Sequence, residues 1–250
     1  MAGHSKWSKV KRFKGALDAK RGKTFSKSSK EIIVAARMGG GDLSLNPRLR
    51  TAVLTARAQN MPNNTIDRAI RKGTGEIEGG IIEELVYEGY GPGGVAIIVE
   101  TVTDNKNRTV QDVRSIFSKN YGNLAASGAV SYIFKRKGQI IVAKSSVDED
   151  KLLEITLKVG AEDLVSDEDL YVVTTPHDQL YQVGEAVKNA GINIESQKLT
   201  FIPDTIVAVT DEELASQVLR LCDVLEDNDD VQSVHSNFDI SDKLLTKLSS

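Results

Sequence analysis

The chain is poor in the residues that build reactive sites. A single cysteine, Cys222, among 250 residues excludes an intramolecular disulfide and suits a reducing compartment such as the cytosol. The three histidines, His4, His177 and His235, lie far apart in sequence, and none has a second ligand type at metal-binding spacing. No apolar run approaches the ~18 residues that a membrane span requires. The N-terminus lacks the apolar core of a secretory signal. Its cations are mostly lysine, and Phe13, Ala16 and Leu17 give only a short apolar face, a poor match to a mitochondrial transit peptide. Serine, histidine and acidic residues fall into no nucleophile motif. Gly89 to Gly94 is glycine-rich but lacks the Gly-Lys-Ser/Thr of a phosphate-cradling loop, and reads as a hairpin turn. Asp104 to Arg108 has oxygen ligands without the glycine and glutamate spacing of a calcium loop, and Asn107 reads as a helix cap. These absences lead us to expect no catalytic residue, no metal, no cofactor and no membrane association.

What is present is a division of charge. The net charge of −3 conceals it. Up to residue 75, nine lysines and eight arginines face only Asp18, Glu31, Asp42 and Asp67, a surplus of 13 positive charges. The rest holds fifteen basic and thirty-one acidic residues, or −16. Asymmetry of this size points to a polyanion-binding module joined to an acidic body.

The basic part opens on an arm, residues 1–24, interrupted by Gly3, Gly15 and Gly22 and too poor in large apolar residues to order itself unbound. A helix is expected from about Phe25 to Met38, stopped by Gly39-Gly40-Gly41. A second starts with Asn46 as N-cap and Pro47 at the first helical position. A third begins near Asn64, with Asp67 completing an approximate capping box, and ends at Gly73. The three make a helical bundle over residues 25–79 with a basic outer face.

Beyond residue 82 strands alternate with helices. Glu84–Tyr90 and Val95–Val102 read as a hairpin, 107–120 as a helix and Val130–Phe134 as a strand. From Gln139 to Phe201 the order is βαββαβ, the split βαβ of ferredoxin-like domains. A strand at Thr205–Val209, a helix at Glu212–Leu225 and a strand at Val231–Phe238 follow. The flanking pieces are incomplete alone, so residues 138–203 are expected to be inserted into a discontinuous α+β domain of 80–137 and 204–240. The fold class is α+β in three domains, an N-terminal helical bundle and two ferredoxin-like domains, one inserted in the other.

Lysine and arginine neutralise phosphates and release counterions without reading sequence. The arm supplies Lys6, Lys9, Lys11, Arg12, Lys14, Lys20, Arg21 and Lys23, with Lys27 and Lys30 beyond it. Trp7, the only tryptophan, lies inside this cluster and could stack on a base or fold back as an anchor. The bundle adds Arg48, Arg50, Arg68, Arg71 and Lys72. Its second and third helices could form a helix-turn-helix, but no obvious recognition face carries Asn or Gln for base-specific reading. Cys222 falls with Leu214, Val218, Leu221 and Leu225 on an apolar helix face, a buried filler. Glu226 to Asp230 reads as a solvated acidic turn, or as a surface offered to a basic protein partner.

Several runs carry a family resemblance. They are Ala2-Gly3-His4-Ser5-Lys6-Trp7, Asp18-Ala19-Lys20-Arg21-Gly22-Lys23, Val34-Ala35-Ala36-Arg37, Gly39-Gly40-Gly41-Asp42 and Asn46-Pro47-Arg48-Leu49-Arg50. Asn60-Met61-Pro62, Arg68-Ala69-Ile70, Glu88-Gly89-Tyr90-Gly91-Pro92-Gly93-Gly94-Val95-Ala96 and Asp104-Asn105 continue it over nearly the full length. The chain resembles the YebC family of transcriptional regulators, whose mitochondrial relatives activate translation. The resemblance implies three domains with one inserted, a cytoplasmic DNA-binding protein, and neither enzymatic activity nor cofactor. It equally implies action at the ribosome on ribosomal RNA, easing translation of difficult sequences such as proline runs. DNA and RNA therefore both stand as ligands, and the oligomeric state is left open. The chain departs from the family pattern at Ser8 to Lys14, at Ser28-Ser29 and at Tyr121 to Gly128, where some of the usual glycines are missing.

Overall fold

The computed structural model describes residues 20–78, 80, 82–167 and 169–249. Helices α1 (Lys20–Gly39), α2 (Pro47–Ala58) and α3 (Asn63–Gly73) pack about Ile32, Ala35, Ala36, Leu49, Val53, Ala56, Ile66 and Ala69. Asn46 explains why α1 ends where α2 begins. Its Oδ1 accepts the Leu49 N–H at 3.0 Å, while its Nδ2 donates to the carbonyls of Ala35 and Gly40, each at 2.8 Å. One buried amide thus caps α2 and closes α1. Pro47 follows at N1, as expected from its fixed φ. Gly73 has a different role from a stop signal. A Cβ there would lie 2.5 Å from the Ile33 carbonyl, so glycine lets α3 cross close against α1.

Two details differ from the sequence expectation. The residues 20–24 assigned to a mobile arm are the first turns of α1, because they extend a helix already anchored by its buried face. The first nineteen residues of that arm lie outside the described residues. Helix α3 starts from Pro62 without a side-chain cap, so the expected capping box at Asn64 and Asp67 does not form.

The body follows as β1 (Glu83–Tyr90), β2 (Ala96–Thr103), α4 (Lys106–Lys119), β3 (Asn123–Leu124) and β4 (Phe134–Ala143). Next come α5 (Glu149–Leu157), β5 (Asp163–Ser166), β6 (Leu170–Pro176), α6 (Leu180–Asn189) and β7 (Ile194–Pro203). The chain closes with β8 (Val207–Ala208), α7 (Glu212–Glu226), β9 (Val231–Ser236), β10 (Phe238–Asp239) and α8 (Asp242–Ser249). Residue contacts divide the chain into a unit that runs to Phe134 and resumes at Pro203, and a second unit from Lys135 to Ile202.

In the second unit the strand order is β5-β6-β4-β7. Strand β6 lies between β4 and β5, which α5 connects, so the unit is a split βαβ. Its core is Ile140, Val142, Leu152, Tyr171, Val173, Leu180, Val183 and Val187.

In the first unit the order is β3-β1-β2-β9. Here β1 lies between β2 and β3, which α4 connects, giving the same spatial order from a permuted chain. The hairpin turns at Pro92–Gly94, where Gly93 and Gly94 have φ of 70° and 75°. Phe117 of α4 and Val218, Leu221, Cys222 and Leu225 of α7 fill the core. Buried Asn237 joins this sheet to its neighbour, accepting the Ala96 N–H at 2.8 Å and donating to the Thr205 carbonyl at 3.0 Å.

Three local expectations are corrected. Ser131–Ile133 is a turn of 3-10 helix, and the strand begins at Phe134. The cap of α4 is Asn105 rather than Asn107, with its Oδ1 accepting the Arg108 N–H at 3.1 Å. Helix α8 was not foreseen. Among the described residues no helix is long and apolar enough to cross a membrane.

Candidate nucleic-acid interface

Lys6, Trp7, Lys9, Lys11, Arg12 and Lys14 lie outside the described residues. Lys20 and Arg21 stand on the first turn of α1. Lys23, Lys27 and Lys30 follow at helical spacing along one face, and that face is occupied. Lys23 Nζ donates to the Asp227 carbonyl at 3.0 Å, and Lys27 Nζ to that of Glu226 at 2.6 Å. Lys30 Nζ reaches the Asp229 carbonyl at 2.8 Å and Asp230 Oδ1 at 2.7 Å. The carbonyls at the end of α7 have no partner within their own helix and carry the negative end of its dipole. Lys23 and Lys27 supply donors to them, and Lys30 does the same for the turn that follows.

Asp230 is the hub of this seam. Its Oδ2 accepts from Arg108 and from Thr109 Oγ1, each at 2.8 Å, and from Thr103 Oγ1 at 3.2 Å. Burial alone would raise its pKa, but the hydrogen bonds from Lys30, Arg108 and Thr109 outweigh that and hold it at about 2. The expected solvated turn is therefore corrected at this residue. Asp230 is 5% exposed, because two cations and two hydroxyls replace its water. Beside the seam lies a cleft of about 550 Å³ lined by Lys30, Lys72, Arg108, Asp104, Asp112 and Asp230, among others. Its mixed charge does not favour a polyanion.

The bundle's remaining cations divide. Arg48 is half-buried between two carboxylates, 2.8 Å from Glu31 and 2.7 Å from Glu84. Burial opposes its charge, but bonds to Glu31 and Glu84 outweigh it and hold the pKa above the ordinary guanidinium value. Arg50 donates to the carbonyls of Leu43 at 3.0 Å and Ser44 at 3.1 Å. Arg71 lies 3.4 Å from Glu76, both well exposed. Arg57 and Arg68 are exposed and form no ion pair among the described residues. The structure thus gathers Lys23, Lys27 and Lys30 on an inward seam and leaves Arg57 and Arg68 facing solvent.

Two groups of residues went unnoticed in the sequence. Asn63 and Asn64 are exposed on the first turn of α3, after a four-residue connection from α2 in which Asn60 has a left-handed φ of 63°. The Asn60-Met61-Pro62 run could have signalled this turn. Tyr121 and Tyr132 are 75% and 76% exposed, and only their position in a stretch without acidic residues marks them. Among the described residues no group of three or more His, Cys, Asp or Glu is gathered as for a metal ion. His235 Nε2 instead lies 2.8 Å from Glu100 Oε2 across the sheet.

A basic helical bundle joined to two split-βαβ units defines an α+β protein whose cations are concentrated on one module. Residues 5–76 match the N-terminal domain of TACO1/YebC proteins, and residues 82–238 match their second and third domains. The chain belongs to the TACO1/YebC family. It is 54% identical over 248 residues to a "probable transcriptional regulatory protein" of Desulfotalea psychrophila, covering 99% of each chain. It is 53% identical over 250 residues to one of Persephonella marina, covering all of both chains. A solved structure, a conserved hypothetical protein from Aquifex aeolicus, superposes with a TM-score of 0.83 at 50% identity, covering 90% of this chain and 93% of that one.

Proposed function

We propose that this chain is a nucleic-acid-binding regulatory protein, a DNA-binding regulator of transcription, without enzymatic activity or cofactor. The observation that carries this reading is the surplus of 13 positive charges up to residue 75 against −16 in the rest. Phosphates are drawn to the basic module and repelled by the acidic body. Lys6, Lys9, Lys11, Arg12 and Lys14 of the arm hold phosphates, and Arg57 and Arg68 extend the contact across the bundle. The carbonyl-bound Lys23, Lys27 and Lys30 instead fix the bundle against the body. The names of the relatives, which call them probable transcriptional regulatory proteins, agree with regulation of transcription.

A second reading is a ribosome-associated translation factor that binds ribosomal RNA and relieves stalling on proline-rich sequences. Trp7 within a lysine-rich segment favours it, since an indole stacks on unpaired bases better than on a closed duplex. Crosslinking in cells, followed by sequencing of both recovered DNA and recovered RNA, separates the two. Enrichment at promoters is the expected result. Enrichment of ribosomal RNA transfers the function to the second reading, and recovery of neither contradicts both.

A further inference from the structure

The acidic body contains one region from which acids are missing. Of the thirty-one acidic residues beyond residue 75, none falls between Val113 and Val147, whereas Arg114, Lys119, Lys135, Arg136, Lys137 and Lys144 do. The part of this stretch in the first unit, up to Phe134, forms α4 and the loop after it. Arg114 and Lys119 are exposed on α4. Tyr121 and Tyr132, at the two ends of the loop, are three-quarters exposed.

This loop is held firmly. Glu88, buried at the end of β1, accepts the N–H groups of Gly128 at 2.8 Å, Val130 at 2.7 Å and Ser131 at 2.8 Å. Burial would raise the Glu88 pKa, but these three backbone donors outweigh it and keep the carboxyl below its ordinary value. Glu88 is thus turned inward and satisfied, while exposed Asp204 touches the far end of the loop through its backbone N–H, 2.8 Å from the Ile133 carbonyl. Tyr90 Oη donates to the Ala129 carbonyl at 2.9 Å. Asn123 and Leu124 pair with Tyr90 and Gly89. A Cβ on Gly122 would come within 2.7 Å of the Tyr90 carbonyl, so glycine lets the chain after α4 pass close against β1. Burial, then adjacent Tyr132, push the Tyr90 phenol above its usual pKa. Tyr90 and Tyr132 therefore meet at one end of the sheet, with Tyr121 two residues before the strand that pairs with Tyr90.

Tyr121 is held there against its backbone preference. It follows α4 at the position where a glycine usually takes the left-handed conformation, and the Gly122 N–H closes the motif on the Phe117 carbonyl at 2.9 Å. Its φ is 59°, uncommon and costly for a bulky residue. The ring gains no burial in return. A glycine would make the same turn without strain, so the fold itself does not require the side chain.

We propose that Tyr121 and Tyr132, with the exposed Arg114 and Lys119 of α4, form a second nucleic-acid contact that stacks unpaired bases. This rests on the nucleic-acid reading above and adds a preference for single strands. Exposed aromatic rings with neighbouring cations suit bases of any identity and the phosphates between them. A rigid frame keeps the rings open without an entropic cost on binding.

The test uses the full chain with a 20-nucleotide oligouridine RNA and a hairpin duplex RNA of equal charge. Affinity is measured against salt concentration for the wild type, for Tyr121→Ala with Tyr132→Ala, and for the corresponding Phe pair. The Ala pair should lose at least roughly tenfold in affinity for oligouridine, with little change on the duplex, an unchanged salt slope and an unchanged melting temperature. The Phe pair should bind like the wild type. Equal loss on both probes, or none on oligouridine while the wild type binds both, overturns the stacking site and leaves the basic arm standing. A wild type that binds neither RNA probe overturns the stacking site, while the DNA reading is decided separately by binding to duplex DNA. Binding of a decaproline peptide that depends on the two tyrosines, with RNA binding unaffected, assigns the loop to protein recognition instead.

Discussion

The bundle presents cations on two faces, and their surroundings differ. Along α1, Lys23, Lys27 and Lys30 meet the carbonyl end of α7 and the Asp230 carboxylate. On α2 and α3, Arg57 and Arg68 meet solvent. A count of charge makes these residues equivalent. Their partners divide them into a set that binds the body and a set free to bind phosphate. Charge in a sequence thus sets an upper limit on the charge a ligand can use.

The largest effect should come from removing the hub of the first set. Asp230→Ala leaves Lys30 with only the Asp229 carbonyl, Arg108 with only the exposed Asp104 carboxylate, Thr109 with the Asn105 carbonyl and the Thr103 hydroxyl without its acceptor. The expected loss is about 3 kcal/mol in urea unfolding, less if exposed Arg108 turns to water. A loss below about 0.5 kcal/mol would contradict the role given to the seam.

The same carboxylate gives a pH dependence of definite sign. Its folded pKa of about 2 lies below the ordinary 3.8. Its ionised form therefore stabilises the fold fully above about pH 4, and this contribution, about 2 kcal/mol, is lost as pH falls toward 2. The stability gap between wild type and Asp230→Asn should narrow over that window. A gap constant from pH 6 to pH 2 would place the stabilisation elsewhere.

Smaller effects separate the two faces. Lys23→Ala with Lys27→Ala should cost about 1 kcal/mol through lost contacts to the α7 terminus, and should barely change the salt dependence of nucleic-acid binding. Arg57→Ala with Arg68→Ala should do the reverse. Stability should stay within about 0.5 kcal/mol, while the slope of log affinity against log salt should fall by about two. If the lysine pair shifts the slope and the arginine pair shifts stability, the comparison is inverted.

How far the sequence foretold this depends on how local the cause is. Asn46-Pro47 announces the start of α2 because cap and first turn are neighbours in the chain. The βαββαβ order of the second unit is legible for the same reason. The permuted order of the first unit is not, because β9 reaches β2 only after a separate unit intervenes. Asp230 read as part of a solvated acidic run because its partners lie 122 and 200 residues away. Arg48 reads as a candidate phosphate ligand because its carboxylate partners, Glu31 and Glu84, lie 17 and 36 residues away. Tyr121 and Tyr132 are not marked in the sequence because isolated tyrosines are ordinary, and only their joint exposure on an anchored loop distinguishes them.

The central claim is that the basic N-terminal segment makes the phosphate contacts. It is tested most directly by salt titration of binding to a mixed-sequence duplex DNA, comparing the wild type with a full-length variant in which Lys6, Lys9, Lys11 and Arg12 are Ala. The account predicts much weaker binding and a slope of log affinity against log salt lower by about three to four. An unchanged affinity and slope in the variant would contradict it.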